Sequence, residues 1–110
     1  MTYKKTSLFD ADLQKLADIA RVMSHPARLA ILRYLAQCNS CISGDISNEI
    51  PLSRTTVSQH LQELKKAGLI QGEIDGLKVN YCICGNCIDD VKHFFEGFFN
   101  EISTELKSQC

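Results

Sequence analysis

Apolar residues recur along this chain at helical spacing in five stretches and at strand spacing in one pair of runs, and their order predicts the fold. Leu13, Leu16, Ala17, Ala20 and Met23 mark a first helix over about residues 8–23. Ser24-His25-Pro26 breaks and restarts it, because serine favours an N-cap and proline is tolerated in a first turn, where no hydrogen bond is lost. A second helix over about 26–37 buries Leu29, Leu32 and Leu35 or their neighbours. Cys38-Asn39-Ser40-Cys41 cannot extend that stripe and is expected to be a loop. Ser43 caps a short helix over 44–50, Pro51-Leu52 makes a tight break, and Ser53 caps a helix over about 54–67 that ends at Gly68. Residues 69–74 and 77–84 are strand-like, and Asp75-Gly76 between them is a strong hairpin signal. The last helix, over about 89–106, carries Val91, Phe94, Phe95, Phe98, Phe99, Ile102 and Leu106 on one face. Gly97 inside it costs about 1 kcal/mol relative to alanine.

Two short helices joined by a turn of about three residues form a helix-turn-helix. Helix, helix, helix-turn-helix, β-hairpin, helix is the order of a winged-helix domain, mainly α with a small β-hairpin. We expect a single domain over 1–110, with the helix-turn-helix at about 43–67, the wing at about 69–84 and dimerisation helices at about 8–23 and 89–108. The dimer expectation comes from the last helix: a three-helix core with a small wing cannot bury four phenylalanines from one element, so a symmetric partner should cover them.

The helix over 54–67 divides cleanly on a 100° wheel. With Val57 at zero, Leu61 and Leu64 fall within about 40° of it and face the core. Thr55, Ser58, Gln59 and Gln62 fall on the opposite side. Those uncharged hydrogen-bonding groups suit base edges in a major groove, while Arg54, Lys65, Lys66 and the wing residue Lys78 can take phosphates. His60 lies near the core boundary as a polar hinge. A dimer would set two such helices about 34 Å apart on a palindromic double-stranded operator.

As a total, a net charge of −1 over 110 residues gives no cue to a nucleic-acid partner. Its distribution changes that picture. Residues 1–37 hold six basic groups against three acids, residues 51–80 come to +1, and from Asp89 onward there are five acids and two lysines. A mildly basic body with an acidic last helix is compatible with DNA on one side. No apolar run has the length of a membrane span and the start lacks a signal-peptide core, so a cytoplasmic protein with no membrane partner is expected. No P-loop, G-x-G-x-x-G, H-E-x-x-H or G-x-S-x-G motif suggests an enzyme.

Six cysteines are too few for a small disulfide scaffold and fall in the wrong compartment for one, so they are expected to be thiols. Cys38-x-x-Cys41 and Cys82-x-Cys84-x-x-Cys87 hold five of the six. In a winged helix the segment at Cys41-Ile42 pairs with the second wing strand, which brings both groups to one end of the sheet. Strand alternation puts Tyr81 and Ile83 toward the core and Cys82 and Cys84 on the other face. Cys38, Cys41, Cys84 and Cys87 are therefore the expected ligands of one ion, with Cys82 as a substitute or fifth thiol. Sulfur-only donors favour As(III), Sb(III), Cd(II), Pb(II) or a structural Zn(II). A zinc-stabilised winged helix acting in protein–protein interaction is the alternative to DNA binding.

The run from Ala20 to Leu35, ARVMSHPARLAILRYL, and the run from Ser53 to Ile70, SRTTVSQHLQELKKAGLI, resemble the second helix, recognition helix and first wing strand of the ArsR/SmtB repressors. The resemblance covers about residues 10–100. It implies a homodimeric bacterial transcription factor that releases DNA when a metal, metalloid or thiol-reactive signal binds. Two family sites are unmatched: residues 43–50 contain no cysteine pair, and Asp89, Asp90 and His93 lack a second histidine further along. Cys41 with Cys110 resembles the pair through which some members sense persulfides, which implies a redox-sensing alternative.

Overall fold

The structure, a computed structural model, describes residues 8–38, 41–43, 49–74 and 79–106. Its elements run α1 (Ala11–Val22), α2 (Pro26–Cys38), β1 (Ile42–Ser43), α3 (Arg54–Lys66), β2 (Ile70–Ile74), β3 (Val79–Ile83) and α4 (Gly85–Leu106). The three strands form one antiparallel sheet in the order β1-β3-β2. This is the winged-helix arrangement. The expected Asp75-Gly76 turn and most of the helix expected over 44–50, residues 44–48, lie outside the described residues.

Local chemistry explains the element ends. The Asp10 carboxylate accepts from the Leu13 N–H at 2.8 Å and starts α1. Ser53 caps α3, its hydroxyl oxygen accepting from the Thr56 N–H at 3.2 Å. Gly68, at φ 83°, closes α3 as the Leu69 N–H reaches back to the Leu64 carbonyl at 3.0 Å. Only a residue without a Cβ takes that conformation readily. Ser24 departs from its expected role. Its hydroxyl donates to the Arg21 carbonyl at 2.7 Å and so finishes α1, while the His25 carbonyl accepts the first N–H groups of α2.

The core lies where α2, α3 and the sheet meet: Ile31, Leu32, Leu35, Ile50, Val57, Leu61, Leu64, Leu69, Ile70 and Tyr81 are buried, with Val22 joining from α1. Val57, Leu61 and Leu64 are the inward stripe expected of α3. In α2 the buried set is Ile31, Leu32 and Leu35, and Leu29 is 46% exposed. In α1 it is Leu16, Ile19 and Val22, with Leu13, Ala17 and Ala20 turned outward. That helix therefore has two apolar faces, and a single stripe drawn through it merges them.

The last helix starts four residues earlier than expected. The backbone N–H of Cys87 donates to the Cys84 sulfur at 3.3 Å and the Ile88 N–H to the Cys84 carbonyl at 2.9 Å, so cysteine serves where a hydroxyl or carboxylate usually caps. None of the 22 residues of α4 is fully buried. Its aromatic face lies along α1, with the Lys15 ammonium 5.3 Å from the Phe94 ring centre. Leu13, Leu16, Ala17, Ala20, Phe95, Phe98 and Phe99 line an open apolar depression between the two helices.

Gly72 carries a constraint that the pattern of apolar residues did not signal. It sits in β2 at φ 131°, and a Cβ there would strike the Asn80 carbonyl and the Tyr81 Cα of β3. Glycine inside a strand often marks such a close approach.

Candidate functional site

The outer face of α3 is built as its spacing predicts. Arg54, Thr55, Gln59, Gln62, Lys65 and Lys66 are exposed, and Ser58 is half-buried. Lys66 pairs with Glu63 at 3.3 Å, a surface contact weak enough to yield to a phosphate. Lys78 lies outside the described residues. A row of short amides and hydroxyls with a cation at each end of a helix can read base edges and grip the backbone beside them.

Two residues of α2 and α3 fix how that helix is held. The Arg28 guanidinium donates from Nε to His60 Nδ1 at 3.1 Å and from Nη1 to the Val22 carbonyl at 3.1 Å. One side chain thus ties the end of α1 to the middle of α3. Acceptance at Nδ1 requires a neutral imidazole with its proton on Nε2. Burial, then the charges of Arg28 and His25, hold the His60 imidazole below its ordinary range. The His25 ring lies 5.6 Å from that of His60. His60 lies half-buried at the core boundary, as expected; Arg28, counted in the sequence only as a charge, is its partner.

The cysteines converge at one end of the sheet, in a pairing that the spacing did not give. The register sets Ile42 opposite Tyr81 and Ser43 opposite Asn80, which brings Cys41 opposite Cys82. Their Cα atoms are 4.3 Å apart, near the ~4.5 Å of a non-hydrogen-bonded antiparallel pair, and the sulfurs form a disulfide. Cys84 and Cys87, with Cα atoms 5.2 Å apart across the first turn of α4, form a second. The expectation of thiols throughout is thus corrected for four cysteines: strand register and a helical turn each place two sulfurs within bonding reach.

Cys38 stands apart as a free thiol at the end of α2. Its hydrogen bond to Tyr34, with some burial and the charges of Cys38 and Glu49, holds the Tyr34 phenol above its ordinary range. Cys110 lies outside the described residues. Among the described residues, no three or more His, Cys, Asp or Glu side chains are arranged to hold an ion. In disulfide form these sulfurs are not thiolates. Reduced, Cys41, Cys82, Cys84 and Cys87 offer four soft donors, a set that suits thiophilic ions and not hard oxygen-seeking ones. A cavity of about 480 Å³ bordered by Leu35, Cys41, Ile83, Gly85, Ile88 and Asp89 opens beside Cys41, and Cys87 borders a separate depression against α1 and α3.

Residues 25–71 match the pattern of the bacterial regulatory protein, arsR family, a stretch reaching from the start of α2 into β2. The chain is 30% identical over 81 residues to the HTH-type transcriptional regulator YgaV of Escherichia coli K12, covering 74% of this chain and 82% of that one. It is 33% identical over 79 residues to the cadmium resistance transcriptional regulatory protein CadC of Listeria innocua, covering 72% and 66%. The fold matches an ArsR-like transcriptional regulator from Rhodococcus sp. RHA1 at a TM-score of 0.69 and 20% identity, over 90% of this chain and 92% of that one. It also matches a homodimeric winged helix-turn-helix DNA-binding domain from Mycobacterium bovis, at a TM-score of 0.56 and 25% identity over 96% and 90%. No helix among the described residues is long and apolar enough to cross a membrane. With its helix-turn-helix, its wing and relatives of this kind over most of its length, the chain belongs to the ArsR family: it is a DNA-binding transcriptional regulator and not an enzyme.

Proposed function

We propose that this regulator is a repressor that binds a palindromic double-stranded operator as a homodimer and leaves it when a thiophilic metal or metalloid ion binds its cysteine thiolates. The observation that carries the reading is the position of Cys41 and Cys82. Cys41 precedes the strand that leads into the helix-turn-helix and Cys82 lies on the wing strand, so an ion held there straddles two DNA-facing parts. Arg54, Thr55, Ser58, Gln59, Gln62 and Lys66 contact DNA from α3, and Lys78 from the wing. Cys41, Cys82, Cys84 and Cys87 ligate the ion; Cys82 takes the place expected of Cys38, because the strand register sets it opposite Cys41 while Cys38 ends α2 as a free thiol.

As(III), Sb(III), Cd(II) and Pb(II) are the candidate inducers. A relative named for cadmium resistance supports Cd(II) as the first probe. The open apolar depression on α1 and α4 supports dimerisation through those helices, as does a homodimeric structural neighbour. The test is a titration of reduced protein into a duplex selected by it from a random pool, followed by fluorescence anisotropy. Added Cd(II) or As(III) should lower affinity; unchanged affinity with every candidate ion refutes ion-driven release.

A further inference from the structure

The same four sulfurs that the proposed function assigns to an ion form two disulfides in the structure, and this sets a condition on ion binding. We infer that the sheet-end site is redox-gated: oxidation to Cys41–Cys82 and Cys84–Cys87 makes the regulator blind to its ion, and reduction restores the donors. The inference rests on the ion-binding reading above and adds the regulation of that site.

Three observations carry it. The β1–β3 register and the first turn of α4 set each pair at bonding distance, with Cα separations of 4.3 and 5.2 Å. Once both bonds are made, Cys38 is the one described cysteine left as a thiol, and a single sulfur cannot enclose a soft ion. The Cys87 N–H donates to the Cys84 sulfur at the start of α4, an arrangement that favours the Cys84 thiolate in the reduced chain. Cys84 is therefore the sulfur that attacks first.

The oxidant class is a low-molecular-weight disulfide such as oxidised glutathione. The Cys84 thiolate attacks one of its sulfurs, forms a mixed disulfide and releases one small thiolate. Cys87 then attacks the Cys84 sulfur, forming the protein disulfide and releasing the second small thiolate. Two electrons pass to the small disulfide, and the two thiol protons of the protein end on the two released thiols. Cys41 and Cys82 consume a second equivalent in the same way. That bond joins the strand entering the helix-turn-helix to the wing, so oxidation also locks those two parts together.

The experiment compares the full chain reduced under anaerobic conditions with the same chain treated with oxidised glutathione. Intact mass and peptide mapping read the bonds, and equilibrium dialysis against Cd(II) and against As(III) reads the ion. The expected result is a reduced chain that binds an ion and an oxidised chain four hydrogens lighter, mapped as Cys41–Cys82 and Cys84–Cys87, that has lost binding. An oxidised chain that binds as tightly as the reduced one overturns the gate and leaves the ion reading standing. So does a map with other pairings or with no bonds. Failure of the reduced chain to bind Cd(II), As(III) or, dialysed in the same way, Sb(III) or Pb(II) overturns the ion reading, and the gate with it. Cys41→Ser tests the parts separately: peptide mapping should still find Cys84–Cys87, with Cys82 left as a thiol or as its mixed disulfide with glutathione.

Discussion

Arg54 and Gln59 differ in what they offer DNA, and their substitutions should be distinguishable. Arg54→Ala should weaken binding about equally on all sequences and lower the salt slope by about one, as loss of a phosphate contact does. Gln59→Ala should cost about 1–3 kcal/mol on the selected operator and less on random DNA, as loss of a base contact does. Both side chains are exposed, so thermal unfolding should be unchanged for both. Anisotropy at two salt concentrations on both duplexes separates the two effects, and equal behaviour of the two variants would contradict the assignment.

His60 gives a pH dependence whose sign follows from its neighbours. Because burial and nearby cations lower its folded value, the unfolded chain takes up the proton first as pH falls. The stability contributed is fully present above about pH 6.5 and is lost as pH falls through the folded value. His60→Gln should flatten this acid-side loss in melts run between neutral and mildly acidic pH; an unchanged profile contradicts the role given to the Arg28–His60 bond. Gly72→Ala should destabilise the domain by about 1–3 kcal/mol through the forced approach to β3. Differential scanning calorimetry reads that loss directly.

At the scale of elements, the wheel on α3 worked because one face of that helix meets a single core, and Val57, Leu61 and Leu64 left no ambiguity. Apolar spacing alone, used for the first two helices, was looser. Of Leu29, Leu32 and Leu35 or their neighbours the structure buries Ile31, Leu32 and Leu35, and one stripe merged the two faces of α1, since both helices carry apolar residues on more than one side. The early start of α4 was hidden because a cysteine sulfur caps it, and cysteine is not among the usual N-cap residues. Likewise, the C-x-x-C spacing grouped Cys38 with Cys41 as ligands of one ion, whereas the disulfide partner of Cys41 is set by strand register, which a local pattern does not contain. The exposed apolar face remains the clearest element-scale prediction. Phe99 is 55% exposed and borders the α1–α4 depression. Phe99→Glu should shift dimer to monomer in sedimentation velocity and weaken operator binding with it; a variant that stays dimeric contradicts dimerisation through this face.

At the scale of the whole molecule, a net charge of −1 is consistent with DNA binding because the segment from Asp89 onward is net acidic and leaves the rest of the chain mildly basic. Affinity should accordingly be modest and fall with salt. The central proposal is that the cysteine end of the sheet controls the grip of α3 on DNA, and coupling of this kind commonly amounts to about 1–3 kcal/mol, or about 5–150-fold in affinity. It is tested most directly by measuring operator affinity with and without Cd(II), in the reduced chain and in a Cys41→Ser/Cys82→Ser double variant. The ion should weaken binding within that range in the reduced chain and leave the double variant unchanged. Equal ion-driven release from both proteins would contradict control through this site.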